Sequence, residues 1–166
     1  MFSVSQRNAL PWLWLSAVVI ALDQLTKVVV VQLLSPQVPH AVIPGFLNWT
    51  LAYNTGAAFS FLADQEGWQR WLFTALAIGV SAVLTRWLAR TPRADWRNAL
   101  PLALVIGGAI GNLIDRLRIG HVTDFIQVYH NQWAFPSFNV ADSAISVGAV
   151  LLIWFALFAK SSASSR

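Results

Sequence analysis

The sequence predicts an all-α membrane protein, a bundle of four transmembrane helices carrying a small strand-rich extracytoplasmic element. Three observations lead there. Apolar residues make up 57% of the chain and charged residues 11%, well outside soluble globular usage. Four separate stretches have roughly membrane-spanning length, which leaves room for a single polytopic domain over residues 1–166. Lysines and arginines also gather on one side of those stretches.

The first span covers about residues 10–34 and is interrupted by Asp23 and Lys27. Its apolar core is longer than that of a cleaved signal peptide and lacks a small-residue cut site, so it reads as a retained helix. Residues 35–69 follow, with Pro36, Pro39, Pro44 and Gly45, an aromatic and β-branched run over 46–53, and an Asn54-Thr55-Gly56 turn signal. This stretch is expected to be the strand-rich element. The second span covers about 71–87, bracketed by Arg70 and Arg86, whose stems reach outward. The third and fourth cover about 98–114 and 143–159, each with 17 uncharged residues. At roughly 1.5 Å per residue these cross ~25 Å, extendable through their polar ends.

Four crossings place both termini and the loop after the second span on one side. That side carries Arg7, Arg86, Arg90, Arg93, Arg97, Lys160 and Arg166 against a single acid, Asp95. The bias predicts cytoplasmic termini and outer loops at 35–69 and 118–139. It also explains the net charge of +4 without nucleic acid, because the basic residues flank apolar stretches and form no stripe of their own. The chain has no cysteine, which removes disulfides, thiolate nucleophiles and cysteine-ligated metal.

An ionisable residue inside a span costs about 2.5–3.5 kcal/mol on the insertion scale, so each one needs a reason. Asp23 and Lys27 stand four apart on one helix face and read first as a structural pair, second as a site. Gly108, Gly111, Asn112 and Asp115 form a small, polar stripe on the third span, fit for close helix approach. Asp115 and Arg116 read as a brace for the following loop before they read as direct chemistry. Taken singly, Asp124 reads as a turn or capping acid, and Asn139 with Asp142 reads as a capping box.

Topology changes those odds by placing Asp124 and Asp142 at one depth, at the outer ends of the third and fourth spans. Two carboxylates facing each other would hold one proton between them at neutral pH, the state an aspartic protease uses. Rival chemistries have less support. His40, His121 and His130 lack metal-ligand spacing, and there is no Gly-x-Ser-x-Gly elbow or phosphate-cradling loop. A Ser-Lys dyad would need Lys27, which has an acid neighbour, or Lys160, on the cytoplasmic side. Two other classes remain as alternatives: a small ion or proton pathway using buried acids, and a non-catalytic assembly factor binding through the glycine stripe.

Five segments resemble, in order, the motifs of the bacterial lipoprotein signal peptidases (signal peptidase II). They are Asp23-Gln24-Leu25-Thr26-Lys27, Asn54-Thr55-Gly56-Ala57-Ala58-Phe59-Ser60, residues 107–116, residues 122–125 and residues 138–142. The resemblance implies an aspartic endopeptidase that removes the signal peptide from diacylglyceryl-modified prolipoproteins, with Asp124 and Asp142 as the catalytic dyad. It implies supporting roles for Asp23, Lys27, Asn54, Gly56, Asn112, Asp115, Arg116 and Asn139. It further implies no metal or organic cofactor, inhibition by the cyclic peptide globomycin, and a site near the outer leaflet of the bacterial inner membrane. Membrane lipid is an expected partner and nucleic acid is not. A monomer suffices, since one bundle holds every group the mechanism needs. Trp49, Tyr53, Phe59 and Phe61 are expected to lie on the interface and cover the substrate.

Overall fold

The computed structural model describes residues 8–56 and 67–158. The expectations placed on Arg7, on Ala57-Ala58-Phe59-Ser60 and Phe61, and on Lys160 and Arg166 lie outside the described residues. Four helices are long and apolar enough to cross a membrane. They are α1 (Leu13–Leu33), preceded by a 3-10 turn at Leu10–Trp12, then α2 (Trp68–Arg90), α3 (Trp96–Arg118) and α4 (Val140–Phe158). Four strands connect them: β1 (His40–Ile43) and β2 (Leu47–Asn54) after α1, β3 (Val122–His130) and β4 (Trp133–Ala134) after α3.

The helix ends follow local chemistry. Leu34 is extended (φ −112°, ψ 140°), as the approach to Pro36 favours, and α1 stops there. Thr91 is likewise extended before Pro92 and ends α2. Asp95 caps α3 by accepting from the Asn98 amide at 3.3 Å. The helices outrun the uncharged intervals because their terminal arginines lie inside them: α2 runs from 68 to 90 where 71–87 is expected, and α3 from 96 to 118 where 98–114 is expected. The fourth helix begins at Val140, not 143, so Asp142 belongs to its first turn.

α3 is the centre of the bundle. Within its most apolar stretch 61% is buried, against 28% for α1 and 11% for each of α2 and α4. It runs parallel to α1, with Ser16 donating to the Ala103 carbonyl at 2.7 Å and Lys27 reaching Asp115. It runs antiparallel to α4, where Gly108 meets the Ala141 backbone and Gly148 meets Pro101. Lipid offers no hydrophobic drive for helices to associate, so small residues and interhelical hydrogen bonds must hold this contact. The outer faces are apolar for the same reason: Val83 on α2 and Leu157 on α4 are 65% and 72% exposed.

The strands form one antiparallel sheet in the order β1-β2-β3-β4 at the end where α1 and α3 finish. The stretches after α1 and after α3 therefore both build it, not residues 35–69 alone. β3 was not foreseen as a strand because Val122, Thr123, Asp124 and Phe125 are all buried, which erases the usual alternation. At the opposite end the Ala9 amide donates to Thr91 at 2.9 Å, over buried Leu88, Ala99 and Leu102.

Candidate active site

Two groups of acids meet at the sheet end of the bundle. The first surrounds Lys27. Its ammonium lies 2.8 Å from Asp23, one helical turn earlier, and 3.0 Å from Asp115 on α3, with all three side chains buried. The structural pairing expected of Asp23 and Lys27 is present, with Asp115 added. Gln24 joins the same group, donating to Asp115 at 3.0 Å and to Asp23 at 3.2 Å.

Both acids also hold backbone. Asp23 accepts from the Ala141 amide at 3.0 Å and so caps α4 from another helix. Asp115 accepts from the Thr123 amide at 3.0 Å, which makes it the brace expected at the start of β3. Gly111 gives Asp23 its space, since a Cβ there would lie 2.8 Å from the carboxylate. Arg116 takes a different direction: it stacks on Phe73, 5.3 Å from the ring centre, and donates to the Asn112 carbonyl at 3.4 Å.

The second group surrounds Asn139. The capping box read from the sequence is formed: Asn139 Oδ1 accepts from the Asp142 amide at 2.9 Å, and Asp142 Oδ2 accepts from the Asn139 amide at 3.1 Å. The same asparagine donates through Nδ2 to Asp124 Oδ1 at 2.7 Å. One residue thus bridges the two acids, and among the described residues no hydrogen bond joins the carboxylates directly. The two remaining oxygens are also held by amides, Asp124 Oδ2 by Asn54 at 3.1 Å and Asp142 Oδ1 by Asn112 at 2.7 Å.

Asn54 reaches Asp124 because β2 and β3 pair with Ala52 opposite Asp124 and Asn54 opposite Val122. Its own oxygen accepts from Gly56 at 2.8 Å, forming the expected turn. Gly56 has φ +108°, and a Cβ there would strike the Phe73 ring at 2.8 Å, so glycine is required twice over.

Asp124 is 2% exposed and has no cation at ion-pair distance among the described residues. Burial, then the charge of Asp142, push its carboxyl up to about 7, against the opposing pull of Asn54, Asn139 and Lys27. It borders a cleft of about 210 Å³ lined by Tyr53, Asn54, Thr55, Pro136 and Ser137. Such a pair, one acid titrating near neutral pH beside a second carboxylate, is equipped for general acid–base chemistry. No group of three or more His, Cys, Asp or Glu among the described residues is arranged for a metal ion.

The structure brings together all ten residues singled out from the sequence, in two adjoining networks linked by Asn112. Sequence reasoning did not single out Gln24, Thr123, or the cleft residues Pro136 and Ser137, and it placed Tyr53 at the interface and Thr55 in a turn without assigning either to the cleft. Gln24 and Thr123 stand inside quoted motifs, and that adjacency was the available signal. Pro136 and Ser137 carried none, because they join the site only through the turn of the chain after β4.

The family described as signal peptidase (SPase) II matches residues 15–158. The lipoprotein signal peptidase of Xanthomonas campestris pv. campestris (strain 8004) is 60% identical over 158 residues, covering 93% of this chain and 95% of the relative. That of Xylella fastidiosa (strain M12) is 60% identical over 151 residues, covering 91% and 90%. A solved bacterial membrane enzyme, obtained by the in meso method at 2.3 Å resolution, superposes with a TM-score of 0.80 at 29% identity, covering 94% of this chain and 93% of that one. Membership of a peptidase family selects hydrolysis over the ion-pathway and assembly-factor alternatives. With four spanning helices, an acid pair at their sheet end and relatives matched over nearly its whole length, the chain belongs to the signal peptidase II family, whose members are membrane peptidases.

Proposed function

We propose that the chain is an aspartic endopeptidase that cuts the signal peptide from diacylglyceryl-modified prolipoproteins, using Asp124 and Asp142 as its catalytic dyad. The observation that carries this reading is the bridge: two acids from different elements, each held on both oxygens by amides and joined through Asn139.

The roles divide by environment. Asp142 sits in the first turn of α4, where the positive end of the helix dipole and two donors, the Asn112 side-chain amide and the Asn139 backbone amide, hold its carboxylate. It takes a proton from the attacking water. Asp124, pushed up to about 7, keeps its proton and donates it toward the scissile carbonyl oxygen. The water oxygen adds to the carbonyl carbon. The tetrahedral species then collapses as the proton held by Asp142 passes to the leaving nitrogen and a hydroxyl of the gem-diol returns its proton to Asp124 while C=O re-forms, which restores the original protonation state.

A precursor anchored by lipid stays in the bilayer, so its scissile bond must meet the acids near the membrane boundary. The arginines around the junction of α2 and α3, Arg86 and Arg90 at the end of α2, Arg93 between the helices and Arg97 at the start of α3, support a cytoplasmic position for that end and the outer leaflet for the sheet end. Trp49 and Tyr53, each 44% exposed on β2, supply interfacial aromatic contact, Tyr53 at the cleft and Trp49 against α1. The enzyme works as a monomer in the bacterial inner membrane, with lipid around its apolar faces, and a globomycin-type cyclic peptide blocks the cleft.

The test uses purified protein in detergent and one precursor prepared with and without the diacylglyceryl group, with products identified by mass spectrometry. A single cut before the modified cysteine, confined to the lipid-modified precursor, is expected. Absence of any cut in the modified precursor would overturn the assignment of substrate.

A further inference from the structure

Lys27 carries three hydrogens on Nζ and meets three acceptors: Asp23 at 2.8 Å, Asp115 at 3.0 Å and Asn112 Oδ1 at 3.0 Å. The first two compensate buried charge. The third reaches a neutral amide, which needs no cation, and its effect is directional. An asparagine side chain has one accepting end and one donating end, whereas an ammonium can only donate. Lys27 therefore faces only the oxygen of Asn112, and the Asn112 nitrogen is left pointing at Asp142 Oδ1, 2.7 Å away.

The reversed amide would be excluded at both ends. Its nitrogen would confront the Lys27 ammonium and the Asn139 nitrogen, and its oxygen would confront the Asp142 carboxylate. Asn139 alone holds this orientation weakly. Its two Nδ2 hydrogens are divided among Asp124 at 2.7 Å, Asn112 at 3.1 Å and the Thr123 carbonyl at 3.3 Å, so its bond to Asn112 is a divided one.

We infer that Lys27 is a positioning residue for hydrolysis: by fixing the Asn112 amide it keeps a hydrogen-bond donor on Asp142 and holds that carboxylate ready as the base. The inference rests on the dyad reading and adds a part to it. Asp142 is faced by Lys27 and Asp23 from α1, Asn112 and Arg116 from α3, Asp124 from β3 and Asn139 at its own helix cap. Lys27 acts on it in two ways, by charge and through the amide, and an experiment must separate them.

The full-length protein carrying Lys27→Met with Asp115→Asn removes one positive and one negative charge, so the net charge of the buried cluster is unchanged. The pH profiles of kcat and KM on the lipid-modified precursor are compared for wild type, this pair, Asn112→Ala, and all three substitutions together. The acidic limb of kcat should move up by about one to two pH units in the pair, the worth of one hydrogen bond to a charged group, with KM unchanged. Asn112→Ala should give the same displacement, and the triple variant no further one, because both routes remove one bond.

An unmoved limb in the Lys27 pair, or displacements that add in the triple variant, would overturn the inference while leaving the dyad intact. Should the Lys27 pair fail to fold, Asn112→Ala alone decides, since it spares both ion pairs, and an unmoved limb there is equally fatal. Full activity of Asp142→Asn, measured alongside, would instead bring down the dyad reading, and this inference with it.

Discussion

The two groups of acids at the sheet end solve opposite problems. Asp23 and Asp115 are locked to one ammonium at 2.8 and 3.0 Å, and each also holds a backbone amide of a neighbouring element. Among the described residues, Asp124 and Asp142 have only asparagine and backbone donors within bonding distance. Pairing with a cation offsets the cost of burying a carboxylate and makes it a structural member. Amide donors orient a carboxylate without fixing its proton, which leaves it able to give and take one. Burial alone does not distinguish these acids, since Asp23 at 0% and Asp124 at 2% exposure are both enclosed; the type of partner does.

Breaking the compensated group should have the largest effect on stability. Lys27→Met alone leaves Asp23 and Asp115 buried without their cation, and a loss of about 3–5 kcal/mol is expected. Thermal unfolding in detergent reads this as a sharply lower Tm. Asp23→Asn belongs to the same class and should reduce accumulation more than turnover per folded molecule.

The uncompensated group predicts the opposite sign. Folded Asp124 keeps its proton up to about 7, whereas an unfolded aspartate gives it up near 3.8. Between those values the folded state binds more protons, so this residue's contribution to stability falls as pH rises and is fully lost above the upper value. The cost is on the order of 4 kcal/mol if the whole shift is realised. Asp124→Asn should therefore gain stability relative to wild type as pH rises through this window. A constant difference in Tm across it would refute the assignment of a raised carboxyl.

Smaller effects sharpen the boundary between the groups. Gly111→Ala places a methyl 2.8 Å from Asp23 and 3.3 Å from the Ala141 side chain, and overpacking of about 1–3 kcal/mol is expected, read as a lowered Tm. Asn139→Ala removes a helix cap worth about 1 kcal/mol. Because the same residue bridges the dyad, it should lower kcat far more than that loss of stability explains.

What could be read from the sequence was local. The four spans follow from long apolar runs, uncharged throughout only in the third and fourth, the Asn139–Asp142 capping box from a spacing of three, and the Asn54-Thr55-Gly56 turn from residue type. The Asp23–Lys27 pair follows from one helical turn. Contacts between distant segments were not legible: the Asp23 cap on Ala141 joins positions 118 apart, and the β2–β3 register that sets Asn54 on Asp124 spans 70. No local pattern encodes a register between separate strands, and a strand buried on both faces shows no alternation to announce itself. Topology, by giving Asp124 and Asp142 a shared depth, makes them a candidate pair, and the family resemblance then names the bond they are proposed to cut.

The most direct test measures single-turnover cleavage of the lipid-modified precursor by Asp124→Asn and Asp142→Asn, each with its Tm recorded in the same detergent. Both variants should fold, and both should lose activity by about a thousandfold or more, the scale of a missing general acid or base. Full activity in either folded variant would contradict the account.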